Sequence, residues 1–392
     1  MSALRGYALV TAAYWAFTLT DGALRMLVLL HFHALGYSAV QLAFLFLFYE
    51  AAGIFTNLLG GYLAARLGLK VTLTAGLVLQ VAALTALAGL RPGWSVPASV
   101  AWVMSAQALS GIAKDLTKMS AKSFIKVLVP GERGLFRYVT LLTGSKNALK
   151  GVGFFLGGLL LAWLGFQGAL LAMAGALGVV LVAAQASLPA GLGASKVRAP
   201  AAGLFSKSRA VNVLSAARFF LFAARDAWFV VGVPVFLYQL GWSFTGVGAF
   251  LALWVIGYGA VQSLAPALFR GGAPGSGSLP ALALLLAAVT AGIALGLAAG
   301  AQPAALIVGG LALFGALFAI NSSIHSYLIL AYSDGDEVAL NVGFYYMSNA
   351  GGRLLGTLLS GLLFQRAGVP GCLWGSAALA LLAAASSLLL PD

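Results

Sequence analysis

Apolar runs of about 20 residues recur along this 392-residue chain. Each run is long enough to cross the roughly 30 Å hydrocarbon core of a bilayer as an α-helix. Inside that core the backbone must satisfy its own hydrogen bonds, which restricts a spanning chain to helices or a closed barrel. Only 8% of the residues are charged, whereas a soluble domain carries about 25%. The pattern therefore predicts an all-α polytopic membrane protein.

About twelve spans fit this pattern. They are expected at 7–33, 39–65, 71–90, 96–124, 134–163, 167–189, 210–239, 244–269, 279–300, 304–331, 337–364 and 369–390. One long polar connection, 194–209, lies between the sixth and seventh spans. We therefore predict an N-terminal six-helix bundle at 1–190, a cytoplasmic inter-bundle loop at 191–208 and a C-terminal six-helix bundle at 209–392.

Loop charges predict the orientation of the spans. If successive loops alternate between the two sides of the membrane, ten basic residues fall on one side, and the other side has only Arg91 and Arg366. Cytoplasmic loops carry an excess of Lys and Arg. Both termini and the 194–209 connection are therefore expected in the cytoplasm.

The two halves of the chain repeat at a constant offset of 205 residues. Asp21 corresponds to Asp226, and the triplet that begins at Gly36 corresponds to the triplet that begins at Gly241. Parallel six-helix repeats are typical of major-facilitator transporters, which bind substrate near the midplane between the repeats. We therefore expect the major-facilitator fold, with two pseudo-symmetric bundles around a central cavity.

The connection between the second and third spans also indicates this fold. Its sequence from Gly61 to Lys70 is GYLAARLGLK, where the usual facilitator loop has G-x-L-A-D-R-x-G-R-K. Arg66 matches the first arginine of that pattern and is a candidate for gating. Ala65 and Leu69 replace the usual aspartate and second arginine, so the charge relay of the pattern is incomplete in this chain.

Basic residues inside the predicted spans indicate what the cavity binds. An ionised side chain at the centre of a transmembrane helix costs at least about 2.5 kcal/mol, so it must face a cavity or a partner. At a rise of about 1.5 Å per residue, Lys114 and Lys146 lie about 18 Å from the cytoplasmic ends of their helices, and Lys150 about 24 Å. Arg353 lies at a similar depth on the symmetry-related span. From such depths these side chains are expected to face a cavity.

Acidic residues inside the spans are fewer than the basic ones. Asp21 and Arg25, four residues apart, are able to neutralise each other, and Asp115 is able to offset Lys118. Asp226 is expected to pair with a cation on its own or a neighbouring span. Several cations then remain, which predicts an anionic substrate with more than one negative charge. The predicted substrate-binding residues are Arg25, Lys114, Lys118, Lys146, Asn147, Lys150, Arg225 and Arg353, and the candidates for proton coupling or gating are Asp21, Glu50, Asp115, Asp226 and Arg66.

Other functional classes lack their characteristic residues. The sequence has no Walker A pattern, no G-x-S-x-G, no HExxH and no CxxC, so we expect no enzyme, no cofactor and no metal site. The net charge of +13 does not indicate nucleic-acid binding, because the chain has no soluble basic domain to hold a duplex. An exchanger of ordinary phosphorylated metabolites and a non-transporting receptor remain as alternatives. A monomer in the lipid bilayer is the default for this architecture.

Four stretches carry a more specific resemblance: YWAFTLTDGALRMLVLLHFHALGYS at 14–38, LFLFYEAAGIFTNLLGGYLAARLGL at 45–69, QALSGIAKDLTKMSAKS at 107–123 and LLTGSKNALKGVGFFLGGLLL at 141–161. They resemble the ArsJ-type organoarsenical efflux transporters, which are major-facilitator proteins of bacterial arsenic-resistance clusters. The resemblance implies a bacterial inner membrane and the export of 1-arseno-3-phosphoglycerate. It also implies a functional partner, the glyceraldehyde-3-phosphate dehydrogenase that makes this compound with arsenate in place of phosphate.

The cysteine content is consistent with an oxyanion as cargo. Cys372 is the only cysteine, so the chain lacks the thiolates that a site for trivalent arsenic requires. Any arsenic cargo should therefore travel as a pentavalent ester that resembles a phosphate. Arsenate and phosphate groups at the two ends of a three-carbon chain suit two separated cationic clusters, because Arg binds oxyanions bidentately and Lys acts as a point charge.

Overall fold

The computed structural model describes residues 3–67, 69–128, 132–188, 208–268, 275–332 and 338–391. Within these ranges every regular element is an α-helix. The helices are α1 (Ala3–Ala34), α2 (Ala39–Leu45), α3 (Leu47–Leu67), α4 (Leu69–Ala88), α5 (Val96–Leu128), α6 (Glu132–Ser187), α7 (Arg209–Phe229), α8 (Gly232–Gln239), α9 (Phe244–Leu268), α10 (Ser278–Ala298), α11 (Pro303–Ala331) and α12 (Val338–Ser387).

The helices differ from the twelve predicted spans at two kinks and two breaks. Both α6 and α12 consist of two helices joined across a kink, at Gly165 and Gly368 respectively. These glycines have φ of 68° and 62°, in the left-handed region that favours glycine. The second span is instead divided at Phe46 into α2 and α3, and the seventh is divided into α7 and α8.

By length and composition, nine helical stretches of the described ranges are able to cross a membrane. Two of them, in α6 and α12, are long stretches that are kinked at Gly165 and Gly368. The first predicted span, 7–33, lies in α1, which is not among the nine. The boundaries predicted between the two bundles stay a prediction, because residues 189–207 lie outside the described ranges.

The internal repeat has the same local structure in both halves. Gly36 and Gly241 both have a positive φ, 84° and 87°. At each glycine two backbone hydrogen bonds close a Schellman motif at the end of a helix. Two residues later, Ser38 and Ser243 each accept a hydrogen bond from the backbone N–H three residues ahead and so cap the next helix. We call the side that carries Gly36 and Gly241 the outer end, because the loop charges predict that it faces away from the cytoplasm.

Close helix packing places the charged residues of each half next to one another. The helices α1 and α6 pack together in the first half, and α7 packs against α12 in the second. A Cβ on Gly22 of α1 would lie 2.6 Å from the carbonyl oxygen of Lys150 on α6. A Cβ on Gly356 of α12 would lie 2.8 Å from the Cβ of Asp226 on α7. Only glycine permits these approaches, which are typical of helix packing in membranes.

The two halves are in direct contact at the outer end. The backbone N–H of Val40 donates to Oε1 of Gln365 at 3.4 Å. The ring of His33 lies edge-on to the ring of Tyr238, with centroids 5.0 Å apart. A Cβ on Gly361 would lie 2.6 Å from the carbonyl oxygen of a residue on α2. The structure is therefore closed at this end.

Candidate functional site

A cavity of about 170 Å³ lies between the two halves and is lined by residues of α1, α3, α5, α6, α7, α9, α11 and α12. Pockets for drug-sized ligands measure about 300–1,000 Å³, so this cavity suits a small metabolite. Its charged lining consists of eight basic residues, Arg25, Lys114, Lys118, Lys146, Lys150, Arg218, Arg225 and Arg353, and three acidic ones, Asp21, Asp115 and Asp226.

The structure brings almost all the predicted site residues to this cavity. Each of the eight predicted substrate-binding residues lines it, including Asn147. Glu50 is fully buried behind the wall and contacts Arg25 and Arg353. The side chain of Arg66 lies outside the described residues. The assignment of these residues to substrate binding stays a prediction.

Asp21 pairs with a lysine of another helix. Nζ of Lys150 lies 3.0 Å from Oδ2 of Asp21, and the Tyr49 hydroxyl donates to Oδ1 at 2.5 Å. The predicted pairing of Asp21 with Arg25 is therefore wrong, because Nη2 of Arg25 lies 3.1 Å from Oε1 of Glu50. The close approach of α1 and α6 brings the lysine to Asp21, and α3 supplies a carboxylate to Arg25.

Asp115 is the centre of a hydrogen-bonded cluster on the α5 side of the cavity. Nζ of Lys118 lies 2.7 Å from its Oδ1, which confirms the predicted pairing of residues three apart on one helix. Thr56 and Asn57 on α3 each donate to Oδ2 at 3.1 Å. Lys118 also donates to Oδ1 of Asn57 at 2.5 Å. The carboxylate thus has hydrogen-bond partners on both oxygens, which offsets the cost of its burial.

A chain of ion pairs connects the two halves of the protein. Nη2 of Arg353 on α12 lies 2.6 Å from Oε1 of Glu50 on α3, and its Nε lies 3.2 Å from Oδ2 of Asp226 on α7. Arg225 pairs with the other oxygen of Asp226 at 2.6 Å. With Arg25 on the far side of Glu50, these five residues form what we call the inter-half chain. The prediction that Asp226 pairs with a cation on its own or a neighbouring span is confirmed, and the structure gives it one of each.

Positive charge exceeds negative charge at this site. Even when Glu50 is counted with the three acidic lining residues, the eight basic residues leave a formal surplus of four positive charges. Arg218, which is not among the predicted site residues, is one of these eight. It precedes Arg225 by seven residues on α7, and that spacing places the two on one helix face. This spacing is the signal that would have identified Arg218.

Aromatic rings support several of the cations. The Arg225 guanidinium lies 4.6 Å from the centroid of the Phe222 ring, and Nζ of Lys114 lies 4.1 Å from that of the Tyr49 ring. Such contacts contribute about 0.5–1 kcal/mol at exposed sites and about 2 kcal/mol when they are shielded from water. No spacing rule selected these aromatic residues from the sequence, because their contacts depend on which helices face each other. Within the described ranges no group of His, Cys, Asp and Glu is arranged to hold a metal ion.

Comparisons with known proteins agree with this architecture. Residues 9–324 match the Major Facilitator Superfamily. The crystal structure of a D-xylose-proton symporter is similar with a TM-score of 0.78, covering 100% of this chain and 99% of that chain at 14% identity. At that identity the likeness shows the fold alone. No curated protein matches the sequence. The predicted fold class is confirmed.

Proposed function

The chain belongs to the Major Facilitator Superfamily, and on that premise we propose that it is a secondary active transporter for an organic anion. The family and the apolar helices establish a multi-pass membrane protein and a transporter rather than an enzyme. We place it as a monomer in the inner membrane of a bacterial cell, with both termini in the cytoplasm. Alternating access would expose the cavity to each side of the membrane in turn.

The surplus of positive charge in the cavity is the observation that carries this proposal. Buried cations without enough acidic partners are costly in a membrane unless they face water or an anion. A neutral sugar, such as the D-xylose named for the structurally similar symporter, offers no charge to offset a surplus of four. A lipophilic cation would be repelled. A small molecule with several negative charges is therefore the best-fitting cargo.

Within this class we propose 1-arseno-3-phosphoglycerate, exported to the outside of the cell. The support is the resemblance of 14–38, 45–69, 107–123 and 141–161 to the ArsJ-type transporters, together with the absence of thiolates other than Cys372. The dehydrogenase that makes the compound is the proposed functional partner. Ordinary sugar or glycerol phosphates fit the charge of the cavity equally well, and only the sequence resemblance favours the arsenical.

Growth of cells that lack their own arsenic exporters tests the proposal. We expect that cells expressing this protein together with the dehydrogenase resist arsenate and not arsenite, and that either protein alone gives no resistance. Lys146→Gln at matched membrane expression serves as the transport-deficient control. Equal protection against arsenite, or protection without the dehydrogenase, would contradict the arsenical assignment.

Proteoliposomes separate this proposal from its alternatives. If the purified protein exchanges glycerol 3-phosphate across the membrane and cells gain no arsenate resistance, the substrate is an ordinary phosphorylated metabolite. If no anion crosses the membrane at any gradient, the protein acts without transport, as a receptor would. The two measurements together assign the protein to one of these three functions.

A further inference from the structure

Not every cation of the cavity is held in an ion pair. Five of the eight basic lining residues form ion pairs with Asp21, Glu50, Asp115 or Asp226. In the described part of the chain, Lys114 and Arg218 form none. They lie on opposite halves, on α5 and α7 respectively.

Lys114 is held by an aromatic ring and by its position close to α12. Its Nζ lies 4.1 Å from the centroid of the Tyr49 ring. A Cβ on Gly53 would lie 3.6 Å from this Nζ and 3.6 Å from the Cβ of Ala350. The same Cβ would lie 3.3 Å from Oδ2 of Asp115, so the Lys114 ammonium lies near both α12 and Asp115, whose carboxylate already pairs with Lys118.

Arg218 is held by neutral groups around the turn of α12 that contains Ala350. Its Nε donates to Oδ1 of Asn349 at 3.0 Å, and its Nη1 donates to Oγ of Ser322 at 2.9 Å. The guanidinium lies 4.0 Å from the centroid of the Phe222 ring. Although only 5% of Arg218 is exposed, these partners leave its charge without a counterion. A buried arginine of this kind is suited to bind an oxyanion.

We propose that Lys114 and Arg218 are two poles of the site, each of which binds one anionic group of a substrate that is charged at both ends. The inference rests on the proposed function and narrows the substrate class to short-chain anions that carry a phosphate or arsenate group at each end. Because the poles belong to different halves, an anion with a charged group at each end contacts both halves at once, whereas an anion with one charged group contacts one. Substrate length and the number of charged ends would thus determine specificity.

Ligand binding to the purified protein in nanodiscs tests this inference, with the change in tryptophan fluorescence as the readout, since Trp254 lies in the cavity wall. The probes are propane-1,3-diol bisphosphate, propyl phosphate, and methylenebisphosphonate, which carries two charged groups on a single carbon. We expect the propanediol bisphosphate to bind at least about tenfold more tightly than either other probe, a difference of about 1.4 kcal/mol. Lys114→Gln and Arg218→Gln should each reduce that preference to near unity.

Arg225→Gln is the matched control, because it removes one positive charge from the same helix and cavity but from an ion-paired residue. It should weaken all three probes in parallel. Arg218→Lys, which keeps the charge, should retain part of the preference. Lys114→Gln tests the inference independently if Arg218→Gln fails to fold.

Three results would overturn the inference. A wild-type protein that binds the three probes equally has no two-pole site, although it still binds anions as the proposed function requires. If the pole variants, like Arg225→Gln, bind all three probes more weakly by similar factors, total charge alone determines affinity. Failure of the wild-type protein to bind any of the probes would remove the proposed anion function itself.

Discussion

The bond between Arg353 and Glu50 joins the two halves beside the cavity and should help to keep the outer end closed. It joins α12 to α3 at 2.6 Å, whereas the bond from Arg353 to Asp226 stays within the second half. Arg353→Gln removes the charge and the short bond but keeps a polar side chain of similar reach. Glu50 retains Arg25, and Asp226 retains Arg225, so neither acid is left without a cation.

The size of the effect follows from the loss of this bond while the contacts at the outer end, such as Val40–Gln365 and His33–Tyr238, stay unchanged. A hydrogen bond to a charged group contributes about 1.5–3 kcal/mol, and the short, buried bond here should lie near about 3 kcal/mol. That energy corresponds to a change of about 10² in the equilibrium between the closed outer end and an open one. An open population of about 1% would therefore rise to about half of the molecules.

Distance measurements between spin labels detect this change. Leu35 and Leu240 are exposed at the outer end, one in each half, and each is replaced by cysteine and labelled. The buried Cys372 is replaced by alanine in all variants. We expect a single short distance in the parent protein and two distances of comparable population in Arg353→Gln.

The matched control is Arg366→Gln, which removes the same charge from an exposed position on the same helix. It should reproduce the distances of the parent protein. If Arg353→Gln also reproduces them, the Glu50 bond does not hold the outer end closed. If both variants shift equally, the change reflects net charge and not the bond between the halves.

Three further predictions concern transport and packing. Lys146→Gln should reduce efflux at least about tenfold at matched expression and Lys146→Glu should reduce it further, because an acidic residue repels the anion; normal efflux would place the site elsewhere. Gly151→Leu should lower the free energy of unfolding by about 1–3 kcal/mol, because a Cβ there would lie 2.5 Å from the Ala252 carbonyl oxygen. Thermal unfolding measures this loss of stability. Gly175→Leu is the control, because a Cβ at Gly175 would have no atom within 4 Å. The Glu50→Gln variant should bind propyl phosphate more tightly than the parent protein and transport it more slowly. Weaker binding with faster transport would contradict this expectation.

The class and the approximate spans of the protein were predictable because the bilayer imposes them. A helix that crosses about 30 Å of hydrocarbon needs about 20 apolar residues, whatever its neighbours are. The repeat was predictable for a similar reason, since the residues around Gly36 and Gly241 form the same local hydrogen bonds. The breaks in the second and seventh spans were not predictable. The one or two residues that interrupt the helix there are as hydrophobic as their neighbours, so the hydropathy pattern does not change.

The ion pairs show the limit of prediction more clearly. Asp115 and Lys118 are three residues apart on one helix, so helix geometry alone brings them together. The same reasoning failed for Asp21 and Arg25, because other helices supplied better-placed partners to both. Arg353 and Glu50 are 303 residues apart. Their contact can be predicted only when it is known which sides of the helices lie against each other. Local geometry predicted candidates for the site but not their partners.

The inter-half chain also offers a physical reason why an anion can leave this cavity. If every basic residue were unopposed, a multiply charged substrate would bind tightly and be released slowly. Glu50 and Asp226 already occupy Arg353, so a substrate that engages Arg353 must displace a carboxylate, and that carboxylate returns when the substrate departs. The exchange keeps the buried charges compensated in both states. The acids would then make release as favourable as binding, which a transporter needs and a storage protein does not.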